Sequence, residues 1–273
     1  MTTELATMFW YGLALKIAMT VSIVVAASII VERSGPFIGA LIAALPTAGG
    51  AALIILAMEH PPEFIAQSVI GSLVANAAGA VFALTYAAQA QTRSLPASLF
   101  TAFAVWLGAV LMASAAEWNA FSAALINVLV YPLTIYLTRK FRSGGQTRRV
   151  QLSTRDLAWR AGVVTLVVLT VTIASHSIGS YLSGAFAFFP VAMGSFFIIL
   201  HSRLGGPAAA SVAAHVQLPL VGLGLGMLAV HLLAVPLGVW WAYLIGLAIG
   251  IAWNAMLWLL RSWRTATASS PAS

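Results

Sequence analysis

Two apolar runs, each long enough to cross a membrane and each carrying a proline near its middle, stand 144 positions apart in this chain. The first runs from Gly35 through Pro46, Thr47, Gly49 and Gly50. The second runs from Gly179 through Phe188, Phe189, Pro190, Gly194 and Ser195. A shift of 144 lays Gly35 on Gly179, Pro46 on Pro190, Ala48 on Ala192 and Gly50 on Gly194, and then Ile54-Ile55-Leu56 on Ile198-Ile199-Leu200. Proline inside a helix removes an amide donor and clashes with the preceding turn, and each helical glycine costs about 1 kcal/mol more. In hydrocarbon the freed backbone groups must meet protein or a water-filled cavity, so such breaks do not belong on a lipid-facing surface.

The rest of the chain sets these runs in a membrane. Of 273 residues 61% are hydrophobic and 7% charged, whereas a soluble domain is about a quarter charged. The expected fold is therefore an all-α polytopic membrane protein. A span needs about 20 apolar residues, which predicts nine transmembrane helices, near 8–31, 36–58, 64–89, 96–115, 118–138, 157–177, 180–202, 208–233 and 237–260. The shift maps spans one to four onto spans six to nine and leaves the fifth unpaired. An odd number of spans separates the copies, which predicts 4+1+4 inverted-topology repeats with two Pro-broken helices crossing at mid-membrane. The corresponding divisions are a first four-helix repeat over 1–116, a linker helix and basic loop over 117–155, an inverted repeat over 156–260, and a disordered tail over 261–273.

Charge placement predicts the orientation. Arg33, Arg93, the group from Arg139 to Arg155, Arg203, Arg261 and Arg264 fall on one side of the nine spans; Glu59, Glu63 and Glu117 fall on the other. The positive-inside rule then puts the N-terminus outside and the C-terminus in the cytoplasm of a bacterial-type inner membrane. The formal net charge of +7 is explained by that bias, so no nucleic-acid partner is expected. The 139–155 loop suits anionic membrane lipid headgroups. Residues 1–7 hold Glu4 and no basic residue, unlike the start of a cleavable signal peptide. Without cysteine, thiolate chemistry and disulfides are excluded.

The polar residues within the spans narrow the function. No carboxylate lies at mid-membrane, which argues against a metal-cation cargo. Lys16 lies inside the first span, where a charge is functional by default. Its counterpart under the shift is Arg160, expected to snorkel to the nearer interface. His215 and Gln217 lie inside the eighth span beside Pro219, and His215 is the obvious proton relay. Proline suits the first position of a helix, so Pro46 and Pro190 can each open a half-helix with about half a positive charge at its start.

The expected substrate-binding residues are thus Pro46, Thr47, Gly49, Gly50, Pro190, Gly194, Ser195, Lys16, His215 and Gln217. No metal ligands are expected, because His60, His176, His201 and His231 fall near span ends without ligand spacing, and no cofactor; a coupling proton or sodium ion is left open. Asn76 and Asn127 read as interhelical glue, and Gly71, Ala75 and Gly79, like Gly246 and Gly250, as close-packing stripes. These features point to a secondary membrane transporter that moves a small anionic or zwitterionic solute by alternating access. The alternative is an ion or small-solute channel. More remote are a lipid translocase and an intramembrane enzyme using Ser195 with His215, which lacks a nucleophile elbow. Nothing in the chain opposes a homo-oligomer. The plan resembles that of carriers whose two halves cross at mid-membrane, a likeness of fold without a shared motif.

Overall fold

A computed structural model describes residues 47–142 and 153–268, together with residue 14, residues 16–22 and residues 25 and 26. All regular structure among the described residues is helical. Among the described residues, six helical stretches are long and apolar enough to cross a membrane. In chain order the elements are α1 (Thr47–Glu59), α2 (Pro62–Gln89), α3 (Leu95–Ala113), α4 (Ala120–Thr138), α5 (Thr154–Ala187), α6 (Val191–Leu204), α7 (Gly206–His215), α8 (Gln217–Leu237) and α9 (Val239–Ala268).

Local sequence explains most of the helix ends. Prolines stand in the first turns of α2, α3 and α7, where their missing N–H is no loss. Asn119 with Ser122 and Ser153 with Asp156 form reciprocal capping boxes that open α4 and α5. Pro219, in the first turn of α8, cannot donate to the carbonyl of His215, so the helical hydrogen bonding of an otherwise apolar rod is interrupted where α7 ends. The last helix continues to Ala268, past the point where the composition suggests a disordered tail. The segment from Arg261 contains no proline or glycine before Pro271, so nothing stops the helix at the end of its apolar stretch.

The apolar stretch Thr154–Leu204 has 51 residues. As one straight helix it would measure about 76 Å, more than twice the hydrocarbon thickness of about 30 Å. It is instead divided twice. Gly179 has φ 77°, a left-handed conformation that favours glycine, and Phe188, Phe189 and Pro190 separate α5 from α6. Arg203, in the last turn of α6, forms an ion pair with Asp156, in the first turn of α5. The stretch therefore goes out and comes back, bringing its two ends together.

Helix α2 is the central post, with buried residues from Ile65 to Ala87. Its contact with the part of α5 beyond Gly179 is close enough to require glycine: a Cβ on Gly71 would lie 2.0 Å from the Tyr181 carbonyl oxygen, and one on Gly184 would lie 1.6 Å from that of Ser68. The Ser72 hydroxyl donates to the Gly184 carbonyl at 2.9 Å across the same seam. The second stripe behaves alike where Gly226 of α8 meets Gly246 of α9, whereas Gly79 and Gly250 make ordinary contacts.

Helix α4 closes the bundle with amides. Asn76 donates to Asn127 Oδ1 at 3.1 Å and to the Leu220 carbonyl at 3.2 Å. Asn127 donates to the Leu73 and Ala123 carbonyls, and the Tyr131 hydroxyl to the Asn76 carbonyl. The opposite faces of α3, α4 and α9 expose Phe100, Met112, Phe121, Leu129, Trp240 and Trp241. Apolar exposure on that scale marks a surface meant for lipid.

Candidate functional site

The interruption between α5 and α6 lies against the start of α1. A Cβ on Gly49 would stand 2.8 Å from the Phe188 ring. Ala51, Ala52 and Ile55 of α1 share one core with Ala187, Val191, Val164 and Val168. Pro190 is the residue before α6, with φ −76° and ψ 42°, so α6 begins beside the first described turn of α1. Aromatic rings surround the interruption: Phe189 stacks on Phe103 at 5.2 Å and meets Trp106 edge-on at 5.2 Å. Phe103 also fills the space beside Gly194, where a Cβ would lie 2.6 Å from its ring.

The expected site residues divide into those at this meeting and those away from it. Gly49, Pro190, Gly194 and Ser195 are buried here, and Gly50 is half-buried beside them. Thr47 is the first residue of α1, and Pro46 lies outside the described residues. The Ser195 hydroxyl donates to the Ala192 carbonyl at 3.0 Å, within its own helix. His215 Nδ1 lies 2.8 Å from the Ser211 carbonyl in α7, so serine and histidine each bond their own helix. Gln217 is fully buried; its Nε2 donates to the Ala80 carbonyl at 3.0 Å and its Oε1 accepts from Thr134 at 3.1 Å. Its polar atoms thus join α8 to α2 and α4.

The two cations expected to be counterparts have different surroundings. Lys16 forms an ion pair with Glu59, the last residue of α1, so its charge is neutralised rather than left for a solute. Arg160 does not snorkel. It is 5% exposed, and its guanidinium carbon lies 5.4 Å from the centre of the Phe196 ring on α6, within cation–π range. Its Nε and Nη1 have no hydrogen-bond partner among the described residues.

At the end of the bundle that carries Glu59, Glu63 and Glu117 there is a polar cluster. His60 stacks on Phe64 at 3.8 Å and lies 4.8 Å, ring to ring, from His176 of α5. His176 Nε2 is 3.8 Å from Glu59 Oε2. Burial is the main force pushing the His60 pKa below its ordinary value; His176 adds to it and Glu59 opposes it. At this same end a recess of about 540 Å³ is lined by Gln67, Glu117, Trp118, Ser180 and Tyr181, among others. The recess therefore reaches the turn at Gly179, where the second broken segment begins.

Spacing along the chain does not associate Glu59 and His60 with His176, and that association is what a search for ligand motifs misses. The available signal is topological, since the ends of the second and sixth expected spans face the same side. Compared with known proteins, the chain matches no family model, no curated protein and no solved structure.

Proposed function

We propose that the chain is a secondary transporter moving a small anionic or zwitterionic solute by alternating access between two inverted halves. The observation that carries this reading is an approach in the interior, with Gly49, in the first described turn of α1, against Phe188 at the interruption before α6. The start of α6 carries about half a positive charge, the break expected at Pro46 would supply a second, and interrupted helices in corresponding halves are where carriers bind their cargo. The nine-span, 4+1+4 arrangement belongs to the same proposal. It is supported by the bond from Asn76 to the Leu220 carbonyl, which joins positions 144 apart. A residue meets its own counterpart only near a two-fold axis, and α4, the unpaired helix in this scheme, bonds to Asn76 at that point.

Anion preference is supported by Arg160. A guanidinium in a spanning helix is costly, and this one retains donors with no partner among the described residues, on the α6 side of the meeting point. Arg160 replaces Lys16 as the cation proposed to attract the solute. The aromatic packing around Phe189 favours a carrier over an open pore. Entry from the acidic end through the 540 Å³ recess, and a bacterial inner-membrane location with the N-terminus outside, complete the proposal.

The test is uptake and counterflow in proteoliposomes, with labelled mono- and dicarboxylates, amino acids and phosphate as probes. Saturable counterflow of a carboxylate or amino acid, lost in Arg160→Gln, is the expected result. Ohmic conductance steps would replace the carrier with a channel, and flux unchanged in Arg160→Gln would remove that residue from the site.

A further inference from the structure

We propose that Glu59, His60 and His176 form a binding site for a divalent transition-metal ion of the zinc type, bridging the end of α1 to α5. One donor atom from each of the three lies within 4.8 Å of the other two. Zinc takes imidazole nitrogen and carboxylate oxygen at about 2.0–2.2 Å. Tetrahedral ligand atoms then stand about 3.4 Å apart, and the His176–Glu59 pair is already at 3.8 Å. The remaining adjustment falls on His176, whose side chain is 59% exposed and free to turn.

Three further observations point to a ligand rather than to a self-contained cluster. Glu59 Oε2 is buried and has no hydrogen-bond partner among the described residues. A carboxylate oxygen withdrawn from water without a hydrogen bond, and held toward two imidazoles, is a ready ligand for a metal cation. The other oxygen, Oε1, is held by Lys16, which fixes the orientation of the carboxylate as an outer hydrogen bond does for a metal ligand. His60 is fixed in a similar way. The Ser175 hydroxyl donates to the Thr172 carbonyl at 2.7 Å, so at 2.9 Å from His60 Nε2 it accepts. The proton is then on Nε2, and the ring keeps a lone pair on its other nitrogen; this tautomer follows from the hydrogen-bond network.

Two imidazoles and a carboxylate are the donor set of sites that leave a fourth position to water. The exposed edge of His176 supplies the path to solvent. The occupant would tie the last turn of α1 to the turn of α5 that precedes Gly179. The site does not depend on the transport proposal, because ion binding rather than flux reports it.

The experiment is calorimetric titration of Zn²⁺ into the untagged full-length protein in lipid nanodiscs, with Co²⁺ absorption as the spectroscopic readout. The expected result is one ion per chain with a micromolar or tighter Kd, and Co²⁺ bands characteristic of nitrogen–oxygen coordination. His176→Ala and Glu59→Gln should each weaken binding by at least about tenfold, and His231→Ala should leave it unchanged. His176 is exposed enough for its variant to fold, and Glu59→Gln keeps the side-chain shape. Millimolar or weaker binding by the wild type would overturn the proposal, as would micromolar binding that survives in the Glu59→Gln/His176→Ala double variant. In either case the cluster would be a simple histidine–glutamate ion pair.

Discussion

The amide network in the bundle interior and the carboxylate–imidazole cluster at its acidic end are both polar, and they differ in what they leave unmet. Asn76, Asn127 and Gln217 bond to one another's helices until their side-chain amides are engaged, with Thr134 and Tyr131 completing the set. Glu59 has one oxygen in an ion pair with Lys16 and the other buried without a hydrogen-bond partner among the described residues. A saturated buried network is a structural fastening, and its cost when broken is that of orphaned donors and acceptors. An unsaturated one carries an unmet desolvation cost that a ligand can relieve. The degree of saturation thus separates structural from functional polarity here, and residue type alone does not.

The comparison yields four outcomes in order of size. The largest effect belongs to the seam beside the network. Gly184→Ala places a methyl 1.6 Å from the Ser68 carbonyl oxygen, and forcing two backbones apart should cost about 3 kcal/mol or more; thermal unfolding in detergent would show the folded population collapse. Next is the zinc response. At 100 times its Kd the ion should stabilise the wild type by about 2.7 kcal/mol, seen as a raised Tm whose increment falls by about half or more in His176→Ala.

Breaking the network itself ranks third. Asn127→Ala removes the side-chain donor to the Leu73 carbonyl and one of the two acceptors of Asn76, for a loss of about 1–3 kcal/mol, and zinc should still raise the Tm of that variant. If Asn127→Ala also abolished the zinc response, the two regions would not be separable in the way proposed. The smallest effect is that of Lys16→Met. Its ion pair with Glu59 is partly exposed, at 22% for each side chain, so the loss should stay below about 1 kcal/mol. Chemical denaturation at two salt concentrations would show the wild-type advantage shrinking as screening increases.

Much of the fold was legible because backbone chemistry is local. Gly179, Pro190, Pro62, Pro96 and Pro207 each alter dihedral freedom or hydrogen bonding at their own position, so the helix ends near them could be placed within a few residues. The α9 terminus was missed because composition there became polar while helix propensity persisted. The site was less legible. Gly194 and Ser195 lie by the break because covalent neighbours cannot go far, whereas Gly49 reaches it from α1 by packing against Phe188. Residue type alone places Gln217 among solute-binding candidates; its amide bonds to Ala80 of α2 and Thr134 of α4 are legible only in the packed bundle.

The sequence by itself determined that the chain is helical and built for lipid, and where its longest apolar stretch must be interrupted. Hydrophobic run length and the backbone limits of glycine and proline act within a few residues and need no partner. Only the tertiary structure decided that Lys16 is neutralised by Glu59, that Arg160 turns inward over Phe196, and that His176 comes within 3.8 Å of Glu59 from more than a hundred residues away. The free energy of a charge depends on its surroundings, and those surroundings are supplied by helices whose relative placement is set by packing.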